Sequence, residues 1–102
     1  MADPALSVVV PLKDEEPNVA PLCAEIRQAL DPLGIRYEVI LIDDGSTDRT
    51  AEALDAIAAE DARFKVVHLR RNFGQTAAMM AGLDFATGEI IVALDGDLQN
   101  DP

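Results

Sequence analysis

Asp95, Gly96 and Asp97 place two carboxylates two residues apart around a glycine. Where the backbone turns sharply, both can converge on one cation, and glycine supplies that freedom because it lacks a Cβ. Hard oxygen ligands suit Mg²⁺ or Mn²⁺, and Mg²⁺ commonly uses one or two carboxylates together with substrate phosphates. A metal held there would neutralise charge on a leaving diphosphate. Asp43-Asp44-Gly45-Ser46 is a second acidic segment, whose carboxylates can accept hydrogen bonds from a nucleobase N–H or a ribose hydroxyl. Arg70-Arg71 offer guanidinium groups to diphosphate oxygens, and Gly74 before a helical pattern would let backbone N–H groups face a phosphate. Each segment also has a plainer explanation. Asp and Gly are common turn formers, Ser46, Thr47 and Asp48 are good helix N-caps, and paired arginines are often surface charge. Placement in the fold separates these alternatives.

The elements that must position these residues are legible as alternating apolar runs. Leu6 to Leu12 is continuous and β-branched at Val8-Val9-Val10, as expected of a strand buried on both faces. Val19, Leu22, Cys23, Ile26 and Leu30 follow helical spacing, with Pro21 expected in the first turn, where a missing N–H costs nothing. Asp31-Pro32 and Gly34 close that helix. A second strand, Tyr37 to Ile42, runs into the Asp43-Asp44 segment, and a second helix places Ala51, Leu54, Ile57 and Ala58 on one face. A third strand, Phe64 to Leu69, leads to Arg70-Arg71-Asn72-Phe73-Gly74. A third helix from Gln75 to Ala86 is expected to bury Met79, Met80, Leu83 and Ala86, with Gly88 as its stop. A fourth strand, Glu89 to Leu94, enters Asp95-Gly96-Asp97.

This order is βαβαβαβ, with strand starts about every 25 to 30 residues. It predicts an α/β fold with an open, mostly parallel sheet covered on both faces. Ligands of such sheets bind beyond the carboxyl ends of the strands. Those ends hold Asp14-Glu15-Glu16, Asp43-Asp44, Arg70-Arg71 and Asp95-Gly96-Asp97. The amino ends carry mixed single residues such as Arg36, Lys65 and Glu89.

The charge balance agrees. Nineteen acidic residues against eight basic ones give a net charge of -11 over 102 residues, with 49% hydrophobic residues. The composition folds, but it lacks the clustered cations of a nucleic-acid binder or of a polybasic membrane-surface protein. No apolar run reaches the roughly 20 residues of a membrane helix, and no basic-then-apolar leader is evident. The lone Cys23 excludes an internal disulfide framework and a multi-cysteine metal site and points to a reducing, cytoplasmic setting. His68 has no second His at ligand spacing and reads as structural. Gly-rich dinucleotide and P-loop signatures are lacking, as is the G-x-S-x-G elbow of hydrolases.

In this order, Val8-Val9-Val10-Pro11 with Glu15, Ile42-Asp43-Asp44-Gly45-Ser46-Thr47-Asp48, Arg71-Asn72-Phe73-Gly74 and Leu94-Asp95-Gly96-Asp97-Leu98-Gln99 resemble family 2 glycosyltransferases. The likeness is to the polyprenyl-phosphate branch, with its dolichol-phosphate mannosyltransferases and undecaprenyl-phosphate sugar transferases. It covers about Leu6 to Pro102.

The resemblance implies a Rossmann-like three-layer fold with strand order 3-2-1-4, a nucleotide-diphospho-sugar donor (UDP- or GDP-linked), a polyprenyl phosphate acceptor, and Mg²⁺ or Mn²⁺. It assigns Asp95, Asp97 and Gln99 to the metal, and Pro11, Glu15, Asp43, Asp44, Arg71 and Asp95 to the nucleotide. Leu12-Lys13 stand where relatives commonly carry an aromatic pair. The resemblance further implies that the chain is the single nucleotide-sugar-binding half of a larger transferase. The catalytic base and any membrane helices would then lie past Pro102, and the parent protein would sit at the cytoplasmic face of the inner membrane.

Two other expectations stand beside it. A non-catalytic module could self-associate as a homodimer through an exposed sheet edge. A D-x-D phosphotransfer enzyme of the haloacid-dehalogenase kind would carry its motif after the first strand, whereas here it follows the fourth. A receiver domain would need a late Lys, and none follows Lys65.

Overall fold

Three successive valines favour extended backbone, because β-branched side chains pack well on a pleated surface. They form the centre of β1, Leu6–Leu12, which is buried from Ser7 onward. The computed structural model describes residues 3–94. After β1 come α1 (Glu16–Leu30), a 3₁₀ turn (Asp31–Leu33), β2 (Tyr37–Asp43), α2 (Thr50–Glu60), β3 (Phe64–His68), α3 (Gln75–Phe85) and β4 (Ile90–Ala93). The four strands form one sheet in the order β3-β2-β1-β4, and every pairing is parallel. The βαβαβαβ order and the 3-2-1-4 arrangement are those expected. Pro11 is tolerated in a central strand because its missing N–H falls on the β4 side of β1. The last described pair there is Val9–Ala93, and Leu94 N–H then donates to the Val9 carbonyl.

Alternation of side chains divides the core into two layers. Val8, Val10, Leu12, Val39 and Leu41 face α1 and α2, meeting Val19, Leu22, Cys23, Ile26 and Leu54. Val9, Ile40 and Ile42 face α3, where Ala78 is fully buried. The face of α3 differs in part from the expected one, since Met79 and Ala86 pack, partly buried, against the core as expected. Ala78 and Gly82 are its buried residues, while Met80 and Leu83 are exposed. Small residues win this face because the helix lies close on the sheet. A Cβ on Gly82 would stand 2.3 Å from Val9 Cγ1, so a methionine-sized side chain has no room there.

Three other expectations are corrected. Helix α1 begins at Glu16, so Pro17 takes the first-turn place and Pro21 falls inside the helix. The Pro17 carbonyl thereby loses its helical donor, at two exposed residues where water can replace it. Gly88 does not cap α3. That helix ends through an extended Ala86, and Gly88 instead lies against β1, where a Cβ would meet Ser7 Oγ at 2.6 Å. Strand β4 is exposed along its length. Among the described residues it pairs only with β1, and α3 packs on β1 and β2. A continuous apolar run therefore marked a sheet strand without guaranteeing its cover among the described residues.

At the amino edge the sheet buries a carboxylate that the sequence did not single out. Glu38 accepts from Ser7 Oγ (2.5 Å), Lys65 Nζ (2.7 Å), Thr87 N (2.7 Å) and Thr87 Oγ1 (3.1 Å). It thereby ties β1, β2, β3 and the α3–β4 turn together. Burial alone pushes Glu38 up, but the bonds from Lys65, Ser7 and Thr87 outweigh it and hold the carboxyl at about 2. With the folded value depressed, the stabilisation is present above the unfolded value of about 4.5 and is lost as pH falls toward 2. Urea unfolding of Glu38→Gln is expected to show lower stability at neutral pH and a flatter acid limb between those values. A parallel acid limb would refute this role.

Candidate functional site

The carboxyl edge is built from three loops that hold one another. At the end of β2, Gly45 adopts φ +69°, and a Cβ there would stand 2.3 Å from both Arg71 C and Asn72 N. The β2–α2 turn and the β3–α3 loop thus touch backbone to backbone, which only glycine permits. Asp44, 2% exposed, clamps the same contact. Its Oδ1 accepts from Phe73 N (2.8 Å), and its Oδ2 accepts from Gly74 N (3.1 Å) and Asn72 Nδ2 (2.9 Å). The turn of Arg70–Gly74 is therefore set by a buried carboxylate just past the end of the neighbouring strand.

The β1–α1 loop is stitched to the β2–α2 loop in the same way. Asp14 takes φ +53°, a left-handed conformation that Asp tolerates better than most residues. Its Oδ1 accepts from Thr47 N (2.6 Å), Thr47 Oγ1 (3.2 Å) and Asp48 N (3.2 Å). Its own N–H donates to Ser46 Oγ at 3.0 Å. The adjacent Lys13 ammonium and then the Thr47 amide hold the Asp14 carboxyl at about 2. Glu15 N donates to Thr50 Oγ1 (2.9 Å), and the Glu15 side chain accepts from Asn18 Nδ2 (2.7 Å). None of the three expected caps holds the N-cap position of α2, which falls on Arg49 and has no side-chain cap bond; Asp48, one residue earlier, accepts from Thr50 N at 2.8 Å. Ser46 and Thr47 are spent on Asp14. A sequence reading has no signal for such reciprocal bonding across 33 residues.

Asp43 and Asp44 point apart because the alternation of β2 carries on one residue past its end, where Asp44 N still donates to the Leu12 carbonyl. Asp43 is buried, accepts Ser46 N through Oδ1 (3.0 Å) and faces His68 Nδ1 through Oδ2 (3.0 Å). The far nitrogen of His68 lies 2.8 Å from Asp55 Oδ1 on α2. Asp43 first, and Asp55 with it, raise the His68 pKa above its ordinary value.

Those expected nucleotide residues that are described thus share one edge. Pro11 is buried next to the loop, Glu15 immediately precedes α1, Asp43 ends β2 with Asp44 just after it, and Arg71 is exposed on the β3–α3 loop. The Arg71 guanidinium stacks 4.7 Å above the Phe73 ring, itself half exposed. Asp95, Asp97 and Gln99 lie outside the described residues, and among the described ones no His, Cys, Asp and Glu cluster could hold a metal. A groove of about 520 Å³ lies at the opposite edge, lined by Ile35, Arg36, Arg63 and Lys65 among others. It is remote from the paired acidic loops.

The family model for glycosyl transferase family 2 matches residues 7–102. A dodecaprenyl-phosphate galacturonate synthase from Rhizobium johnstonii is 50% identical over 98 residues, covering 95% of this chain and 29% of that protein. An undecaprenyl-phosphate 4-deoxy-4-formamido-L-arabinose transferase from Aeromonas hydrophila is 47% identical over 98 residues, covering 95% and 30%. The chain thus spans about three tenths of the length of these relatives. Among solved structures, a Pyrobaculum calidifontis mannosyltransferase in complex with GDP-Man and Mn²⁺ matches with a TM-score of 0.81 and 29% identity, over 95% of this chain and 28% of that one. The S. aureus TarS fragment 1-349 in complex with UDP-GlcNAc matches with a TM-score of 0.78 and 28% identity, over 90% and 26%.

Proposed function

Because the chain belongs to glycosyl transferase family 2, we propose that its carboxyl edge is the donor site of a sugar transferase that uses a nucleotide-diphospho-sugar, a divalent metal and a polyprenyl phosphate acceptor. In that reaction an acceptor phosphate oxygen attacks the anomeric carbon, the bond from that carbon to the diphosphate breaks, and the nucleoside diphosphate leaves. Pro11, Glu15, Asp43, Asp44, Arg71 and Asp95 are assigned to the nucleotide, and Asp95, Asp97 and Gln99 to Mg²⁺ or Mn²⁺. The metal would neutralise charge on the departing diphosphate. The catalytic base is not assigned to any residue of this chain.

The observation that carries the reading is the mutual locking of the three loops at the carboxyl edge. Asp14 and Asp44 use their oxygens on backbone N–H groups, which makes a rigid rim of the kind a phosphate-bearing ligand needs. Arg71 stands exposed on that rim. The polyprenyl-phosphate names of the sequence relatives and the GDP-Man and Mn²⁺ of the mannosyltransferase support the acceptor, donor and metal. No helix of the described residues is long and apolar enough to cross a membrane. Placement of the whole protein at the cytoplasmic face of the inner membrane belongs to the same proposal.

Calorimetry with UDP-sugars and GDP-mannose, with and without Mn²⁺, tests the reading. Binding is expected to need metal. Asp97→Asn is expected to weaken it by more than the 10- to 100-fold typical for loss of a residue that merely supports a ligand. A folded sample with no metal-dependent nucleotide binding overturns it. The second reading, a self-associating module, is favoured by the exposure of Ile90, Ile91 and Val92 on β4. Light scattering on the same sample would then show a dimer without nucleotide affinity.

A further inference from the structure

His68 closes β3 directly opposite Asp43 in the sheet register. Both of its ring nitrogens face carboxylate oxygens, Nδ1 at 3.0 Å from Asp43 and Nε2 at 2.8 Å from Asp55. An ionised carboxylate only accepts hydrogen bonds, and a neutral imidazole has only one N–H to donate. The two contacts are satisfied together only when the ring carries both protons. A neutral ring would set a nitrogen lone pair against an oxygen lone pair on one side or the other. The charged groups that face the ring are Asp43 from β2 and Asp55 from α2, and among the described residues His68 is the cationic partner of Asp43.

Asp43 is not free to move independently of the site edge. Its other oxygen holds the Ser46 amide at 3.0 Å, across the turn in which Gly45 adopts its left-handed conformation. Ser46 in turn accepts from Asp14 N. A chain of single bonds therefore runs from the exposed Asp55 through His68, Asp43 and Ser46 to the β1–α1 loop.

We propose that His68 is a positioning residue for the nucleotide site, whose imidazolium fixes Asp43 and the Asp43–Ser46 turn, so that deprotonation of His68 loosens that turn and weakens donor binding. This rests on the donor-site reading given above. The direction of the pH effect follows from the two carboxylates, which favour the charged ring. A group whose folded value is raised contributes fully below its unfolded value, about 6.5, and its contribution is lost as pH rises through the folded value. With the His68 side chain 41% exposed and that of Asp55 62%, solvent screening keeps the effect moderate.

The test measures GDP and UDP affinity by calorimetry in Mn²⁺ from pH 5.5 to pH 9, on the chain itself and on His68→Gln and Asp55→Asn. Titration of the nucleotide phosphate is common to all three, so the difference between profiles carries the information. Affinity of the unmodified chain is expected to fall about three- to tenfold more on the alkaline side than that of His68→Gln, the size of one partly exposed charge-assisted bond. Asp55→Asn is expected to move the fall to lower pH. NMR titration of the His68 ring and the Ser46 amide gives a readout without ligand, in which the two should share one midpoint, absent in His68→Gln. Superimposable binding profiles, or a Ser46 amide indifferent to His68, overturn the inference while leaving the donor site intact. No nucleotide binding by the unmodified chain at any pH overturns the donor-site reading instead, and the shared NMR midpoint then decides the His68–Asp43 coupling alone.

Discussion

Gly45→Ala is expected to destabilise the chain by about 2–4 kcal/mol, a large share of the 5–15 kcal/mol typical of a domain. Two costs combine. At φ +69° an alanine bears the left-handed penalty of about 1–2 kcal/mol. Its Cβ would also sit 2.3 Å from Arg71 C and Asn72 N, and these are backbone atoms that no rotamer change can move aside. The β3–α3 loop must shift by more than an ångström, and the Asp44 bonds to Phe73 N and Gly74 N must stretch or break with it. Nucleotide affinity should fall in the same variant even where it remains folded, because Arg71 lies on the displaced loop. Gly34→Ala provides the control. Gly34 has a similar φ of +66° but open space around the position, so it should show the conformational cost without the collision. Equal destabilisation of the two variants, measured by urea unfolding, would remove the backbone contact from this account.

That contrast also marks what the sequence could reveal. The strands were legible almost to the residue, because Val8-Val9-Val10 and Val39-Ile40-Leu41-Ile42 satisfy a local rule, unbroken apolar β-branched runs bounded by turn formers. The carboxyl edge was legible as a place, since the fold puts strand ends together once the strands are known. What each residue does there was not. The sequence offers Asp44 as a nucleotide ligand, but nothing local in it also places Phe73 and Gly74 against that carboxylate. Asp14 passed as one acid among three because its partners lie 33 and 34 residues away. Helical periodicity on α3 pointed to the large residues Met80 and Leu83, whereas closeness of packing selected Ala78 and Gly82. Hydrophobicity ranks residues by what burial would gain, and contact geometry decides which of them fit. Glu38 was invisible for the converse reason. A glutamate inside an apolar run is buried only if Lys65, Ser7 and Thr87 converge on it, and that convergence exists only in three dimensions.

Asp44→Ala is expected to cost about 2–4 kcal/mol, since breaking a buried hydrogen-bond network is among the more damaging kinds of substitution. The substitution removes the acceptor of Phe73 N and of Gly74 N and one of the two acceptors of the Asn72 side-chain amide, which keeps the Asp44 carbonyl at 3.2 Å, and a buried donor left without an acceptor costs about 1–3 kcal/mol before water recovers part of it. Asp44→Asn should cost roughly half as much, since one oxygen remains to accept while the new amide group faces a donor. The graded pair separates polarity from shape, because the two side chains of Asp and Asn have nearly the same volume. Hydrogen exchange should locate the damage, with faster exchange at Phe73 and Gly74 and little change at Val39 or Leu41 in the core of β2. Nothing in this expectation depends on a ligand, so it also fixes how a loss of nucleotide affinity in Asp44 variants is to be interpreted. If Asp44→Asn retains its fold and its slow exchange at Phe73 yet no longer binds nucleotide, Asp44 touches the donor directly. If affinity and exchange protection are lost together, the carboxylate acts by holding the loop that carries Arg71. Stability within about 1 kcal/mol of the unmodified chain in Asp44→Ala, below the usual loss for a single buried bond, would mean that the loop is held by contacts other than these three.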